Sequence, residues 1–433
     1  FGPASFCLPG EFALPDRRGR ASGLRPGCRN AHITNRMVST TGTKMHPTNN
    51  RIADIVPEVK EWRQWLHRNP ELLFDLPKTS AYIADRLREI GVDEIHANIA
   101  ETGIVAVING TGDGATLGLR ADMDALPINE ASAVPHASET PGKMHACGHD
   151  GHSAMLLGAA KYLAETRNFT GKVALIFQPA EEGGTGARAM LDSGILDQLG
   201  VGEVYGMHNM PNLPIGHFGL CEGPALAATD FFSVDIEGRG GHASQPHKCI
   251  DPLIAANAIY SGFQSIITRN ADPMKNGLIS ITAMQAGEAN NVIPQTALLK
   301  GTVRNLHEGT RDMIEKRMGE VVAGAAATYD VHARLNYDRL CPVTFNHTEQ
   351  FRHAASAATD IVGHDNVDKE QPARLGGEDF SYMLQENPGC IIFVGNGPSA
   401  GLHHPEYDFN DEALPYGIAF WAKIVEDRLP KAS

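Results

Sequence analysis

A chain of 433 residues, 42% apolar and 20% charged, has material for more than one hydrophobic core, and two domains are expected. A formal net charge of −14, with no block of Lys or Arg set against it, speaks against nucleic acid or an anionic membrane as a partner. No apolar run approaches the ~18–20 residues of a spanning helix, so no membrane crossing is expected.

Residues 1–45 differ from the rest. Arg17, Arg18, Arg20, Arg25, Arg29 and Arg36 stand there against only Glu11 and Asp16, with scattered Gly and Pro and no helical or strand period. An Arg-rich transit segment is one account; an artefact of the gene start, with translation beginning at Met37 or Met45, is the other. Either way the segment is a leader set apart from the fold.

From about residue 50 the pattern becomes regular. Ile52, Ile55, Val56, Val59, Trp62 and Leu66 recur at helical spacing, and a second helix is predicted over 79–90, stopped by Gly91. Apolar strands follow at 104–108 and 117–121, then a helix at 153–165 and a strand at 173–177. Strands alternating with helices indicate an α/β domain with a mostly parallel sheet, whose ligands collect beyond the carboxyl ends of the strands. Asp122, Asp124, Glu181 and Glu182 all stand where a strand has just ended.

Around 225–229 the texture changes. Strands at 231–236, 278–283, 297–303 and 331–336 and helices at 252–268 and 310–328 run in the order β-α-β-β-α-β, the split-βαβ arrangement of an α+β unit. After Pro342 the α/β texture resumes, with a helix at 349–362 and a strand at 391–394. The expected division is therefore a discontinuous α/β domain at 50–225 and 342–433 with a second domain, 226–341, inserted in it.

The densest polar cluster is His145-Ala-Cys147-Gly-His149-Asp150-Gly-His152. A thiolate and an imidazole two residues apart can turn toward one ion, and that donor pair suits zinc or another late transition metal. Glu181 and Glu182 follow an apolar strand and precede glycines; one can ligate while the other carries a proton, unless the pair is simply a surface acidic loop. His208 and His403 are single histidines in a chain that has 19, and each alone reads as structural or exposed. Together they bring the N, O and S donors to the number two metals need. The seven cysteines, an odd total without regular spacing, argue against a disulfide framework and for a reducing, cytoplasmic setting.

Seven motifs occur in order: Arg120-Ala-Asp-Met-Asp-Ala-Leu-Pro127, the run 145–152, the run 178–184, Gly238-Arg-Gly-Gly-His242-Ala-Ser, Asn291-Val-Ile-Pro294, Gly376-Gly-Glu-Asp-Phe380 and Leu402-His-His-Pro405. In these the chain resembles the metal-dependent amidohydrolases that include hippurate hydrolase, N-acyl-amino-acid amidohydrolases and plant auxin-conjugate hydrolases. The resemblance, over about 50–430, implies a zinc-peptidase-like catalytic domain and an inserted lid that also dimerises, giving a homodimer or homotetramer. It implies Cys147, His149, Glu182, His208 and His403 as ligands of two divalent ions (zinc, manganese, cobalt or nickel), Glu181 as general base, and His242 as a lid residue on the reacting carbonyl. Asp124 would orient a ligating His; Asp122 and Asp150 are open as ligands or supporting groups, and His404 rivals His403. Asn291 and Arg304 are candidates for the substrate carboxylate, with a surface ion pair the alternative for Arg304. The expected reaction is hydrolysis of an N-acyl amino acid, with dipeptidase, carboxypeptidase, N-carbamoyl amidohydrolase and a non-catalytic metal-binding protein as the competing readings.

Overall fold

The computed structural model describes residues 47–275 and 277–431, and the Arg-rich leader lies outside them. Eight strands form one sheet in the order Glu94–Ile99, Gly103–Asn109, Lys172–Gln178, Thr116–Asp122, Val201–Met210, Gly389–Gly395, Phe218–Gly219 and Val367–Asp368. The four strands from Lys172–Gln178 to Gly389–Gly395 are mutually parallel; Gly103–Asn109 and Glu94–Ile99 run antiparallel at one edge. The predicted strand at 104–108 is thus paired antiparallel to its neighbour in a sheet that is otherwise mostly parallel.

Strand side chains alternate between faces with period two, and both faces here are covered. Leu117, Leu119, Val173, Leu175, Phe177, Tyr205, Met207 and Ile392 pack toward the helices Pro47–Arg68, Pro77–Ile90, His149–Thr166, Thr348–Val362 and Leu414–Arg428. Val105, Ala174, Ile176, Val204 and Ile391 point the other way, toward Gly186–Asp192, Ile195–Gln198 and Phe380–Glu386. Burial on both faces explains why these strands read as continuous apolar runs. The polar edge strand Glu94–Ile99 carries no such run and is half-exposed along its length.

Residues 228–341 build a separate antiparallel sheet, ordered Gly277–Gln285, Thr296–Asn305, Ala228–Glu237 and His332–Cys341. Its third apolar cluster unites Phe232, Val234, Ile236, Leu299 and Val303 with Ile259 and Phe263 of helix Pro252–Arg269 and Ile314 and Met318 of helix Glu308–Tyr329. The helices cover one face only, so strand Ala228–Glu237 alternates buried and exposed positions toward its end.

Candidate metal centre

The parallel strands deliver their carboxyl ends to one place. Thr116–Asp122 leads into Asp124, Lys172–Gln178 leads into Glu181 and Glu182, and Val201–Met210 carries His208 near its end. Helix His149–Thr166 starts there, preceded by Gly148 at φ 90°. That left-handed turn separates Cys147 from His149 and lets both face the same space. A side chain at Gly148 would also overlap the Asn209 amide and the Tyr407 hydroxyl. The loop after Gly389–Gly395 supplies His403, itself at φ 62°, a conformation uncommon for a residue other than glycine.

Five of the expected residues converge. One donor atom from each of Cys147, His149 and His208 lies within 4.8 Å of the others, and the same holds for Cys147, Glu182 and His403. The Cys147 sulfur is 3.4 Å from His208 Nε2, and Glu182 Oε1 is 3.4 Å from His403 Nε2 and 4.0 Å from His149 Nε2. The rings are held by their far nitrogens. His149 Nδ1 donates to the Asp124 carbonyl at 2.8 Å, and His208 Nδ1 to the Asn209 carbonyl at 2.7 Å, so each turns Nε2 into the cluster. His149 Nε2 and Glu182 Oε1 are buried with no hydrogen-bond partner. Buried polar atoms are almost always paired, and thiolate, imidazole and carboxylate donors left unpaired within reach of one another fit a divalent cation.

The shifts at the cluster are mixed: burial raises the Cys147 thiol, against its burial Asp122 and Cys147 raise His149, and Cys147 and Glu182 raise His403 to about 10. Burial, then neighbouring His152, pushes His208 down to about 3, so the ring stays neutral with a lone pair on Nε2. Burial and the carboxylates of Glu378, Glu182 and Asp379 push Glu181 well above the ordinary carboxylate range. The Asp124 carboxylate accepts from the Glu181 and Glu182 main-chain N–H groups at 3.0 and 3.2 Å; its contact with His149 is longer, 3.5 Å, than that of its own carbonyl.

Asp122 borders the cluster, its Oδ2 3.7 Å from His149 Nε2, and forms a further candidate donor group with His149 and His152; the other expected residues lie elsewhere. Asp122 spends one oxygen on His152 Nδ1 at 2.7 Å and the other on Arg120 at 2.8 Å. Asp150 is bound by His67 at 2.8 Å and Arg63 at 3.4 Å. His404 accepts from the Glu406 main chain and belongs to neither donor group. Arg304 lines the cavity that opens on the cluster, about 640 Å³, together with Glu181 and the ligand candidates Cys147, Glu182, His208 and His403. His242 and Asn291 do not line it. They stand together on an exposed patch of the 228–341 unit, where Gly241–His242 pairs with Val292–Ile293 and the Asn291 carbonyl accepts from Ala243 at 2.9 Å.

A buried network escaped the sequence reading. Arg120, 1% exposed, donates to Gln178 at 2.8 Å, Asp122 at 2.8 Å, Glu378 at 2.9 Å and Asp379 at 3.1 Å. Gln178 donates on to Asp379 at 2.7 Å, and Glu378 lines the cavity beside Glu181. A charge in the middle of an apolar strand was the available signal, because such a charge demands buried partners.

A hippurate hydrolase of Campylobacter jejuni is 38% identical over 373 residues, covering 86% of this chain and 97% of its own length. An N-acetylcysteine deacetylase of Bacillus subtilis is 40% identical over 363 residues, covering 84% and 94%. The crystal structure of the Bacillus subtilis YXEP protein, described as a dinuclear metal-binding peptidase, superposes with a TM-score of 0.77 at 35% identity, covering 88% of this chain and all of that one (100%). The profile of peptidase family M20/M25/M40 matches residues 118–427, and the chain belongs to that family.

Proposed function

We propose that this chain is an amidohydrolase that cleaves small N-acylated amino acids into a free acid and a free amino acid, with two divalent cations held by Cys147, His149, Glu182, His208 and His403. The observation that carries the reading is the convergence of these five side chains, four of them lining one cavity, with His149 Nε2 and Glu182 Oε1 left unpaired beside Glu181. The names of its relatives, a hippurate hydrolase and an N-acetylcysteine deacetylase, describe the same substrate class.

Two such cations would supply Lewis acidity to the amide carbonyl and to the attacking water. Glu181, next to the cluster yet outside the five, takes the proton from that water and returns it to the leaving amine. Asp124 fixes Glu181 and Glu182 through their main-chain N–H groups. Arg304 offers its planar fork to the substrate carboxylate, and Leu226, Phe231, Leu340, Phe393 and Leu402 line the cavity with apolar surface for the acyl group. His242 and Asn291 reach the carbonyl and the carboxylate by closure of the 226–341 lid, or from the lid of a second subunit.

The finer assignments belong to the same proposal: a catalytic domain at 50–225 and 342–433, a lid and dimerisation domain at 226–341, and a homodimer or homotetramer in the cytoplasm. Exposed Met284 and Val292 on the lid support self-association. Free cysteines at 147, 221, 249, 341 and 390 support a reducing compartment. No helix among the described residues is long and apolar enough to cross a membrane. Zinc, manganese, cobalt and nickel all suit these donors.

The deciding experiment is a substrate panel of hippurate, N-acetyl amino acids, dipeptides and N-carbamoyl amino acids, on apoprotein reloaded with each metal in turn. Turnover of the acyl amino acids above the rest supports the proposal. Preference for dipeptides, or release of ammonia and carbon dioxide from carbamoyl substrates, replaces it.

A further inference from the structure

The cavity holds two guanidinium groups. Arg304 comes from the strand Thr296–Asn305, and Arg374 from the segment between Val367–Asp368 and Phe380–Glu386. The Arg374 main chain is anchored, its N–H donating to the Ala225 carbonyl at 2.9 Å and Leu226 bridging to it. Its guanidinium carbon lies 5.7 Å from the centroid of the Phe393 ring, and Nη2 is 3.1 Å from the Met210 sulfur. Phe393 is the register partner of His208, and Met210 ends the same strand. Arg374 is therefore held at the strand end that presents a ligand candidate.

Neither arginine is neutralised. Arg304 donates to the Thr302 hydroxyl and the Val303 carbonyl, Arg374 only to a thioether, and neither forms an ion pair with a carboxylate among the described residues. The acids that share the cavity stand apart from these arginines: Glu378 binds Arg120, Glu182 belongs to the donor cluster, and Glu181 stands beside that cluster. A chain of net charge −14 repels anions at long range, so a local pair of cations marks where an acidic ligand is admitted. Phe393 and Met210 flank the Arg374 guanidinium, and a thioether is too weak an acceptor to occupy its fork. The two groups also come from different walls, one from the inserted sheet and one from a loop of the eight-stranded domain.

We infer that Arg374 is a specificity-determining residue that receives a second acidic group of the substrate, so that the preferred substrates are N-acyl derivatives of dicarboxylic amino acids. The α-carboxylate meets Arg304 and the side-chain carboxylate meets Arg374. This rests on the amidohydrolase reading above and adds to it the class of amino acid released.

The test is steady-state kinetics of the metal-loaded enzyme on N-acetyl-aspartate, N-acetyl-glutamate, N-acetyl-alanine and N-acetyl-leucine, for the native chain and for Arg374→Ala and Arg374→Lys. The native enzyme prefers the dicarboxylic pair. Arg374→Ala lowers the ratio of kcat/KM for N-acetyl-glutamate over N-acetyl-leucine by about ten- to a hundredfold, the worth of a charge-assisted hydrogen bond, and the loss falls mainly on KM. Arg374→Lys restores part of the ratio, and Arg374→Gln replaces the alanine variant if that one does not fold. A native enzyme without dicarboxylic preference, or an Arg374→Ala variant that scales all four substrates alike, overturns the inference while leaving the amidohydrolase reading intact. Absence of turnover on every N-acyl amino acid removes both.

Discussion

His67 is the group whose titration the structure exposes most clearly. It lies fully buried on helix Pro47–Arg68, with Nδ1 donating to Asp150 at 2.8 Å and Nε2 donating to Glu130 at 3.2 Å. Burial opposes its charged form, but Asp150 and Glu130 outweigh that and lift it from 6.5 to about 9. Asp150 is the second residue of helix His149–Thr166, so this ion pair clamps the turn that carries His149. The folded state holds the proton more tightly than the unfolded chain. Its stabilisation is therefore complete below pH 6.5 and is lost as pH rises through about 9. At about 1.4 kcal/mol per pH unit, the gap corresponds to about 3 kcal/mol. Urea unfolding of the native chain and of His67→Gln, measured from pH 6 to 10, isolates this contribution as the difference between the two curves. The native chain should lose about 3 kcal/mol more than the variant across that range. Parallel curves would refute the assignment of a charged His67.

Glu181→Gln should retain both metals by elemental analysis and lose about 10²–10⁴-fold in kcat, the usual worth of a general base; near-native turnover would reassign the role. Cys147→Ala removes the one donor shared by the groups Cys147–His149–His208 and Cys147–Glu182–His403, so metal content per chain should fall, and unchanged stoichiometry would count against the ligand set. Arg120→Met leaves three buried carboxylates without their shared cation and should cost about 3–5 kcal/mol in chemical denaturation; a loss under 1 kcal/mol would mean those acids are protonated in the native fold.

Much of the fold was legible because burial on both faces writes strands as uninterrupted apolar runs, as at 104–108, 117–121, 173–177 and 391–394. The strand Val201–Met210 has no predicted counterpart, since Gly202, Glu203 and Gly206 interrupt its apolar character. The edge strand Glu94–Ile99 and the two-residue strands Phe218–Gly219 and Val367–Asp368 left no period to detect. At the site, residue chemistry singled out the donors and the ordered motifs grouped them. What sequence could not supply was direction: Asp122 and Asp150 look as acidic as Glu182, yet both Asp122 oxygens and Asp150 Oδ2 are taken by arginine and histidine. Glu378 passed without a role because its partner Arg120 comes from a strand far away in the chain, and Arg374 because its neighbour Phe393 carries no charge to mark the pair.

The loop bearing His403 closes a cluster whose first donor, Cys147, precedes it by roughly 250 residues, about 10–50 s of synthesis at ~5–20 residues per second. Throughout that interval the nascent chain presents Cys147, His149 and His208 while the second group, Cys147, Glu182 and His403, stays incomplete. Under the proposed ligand set the second cation would wait for the finished polypeptide, and a truncated product ending within the inserted sheet would bear most of the donors but lack the His403 that joins Cys147 and Glu182.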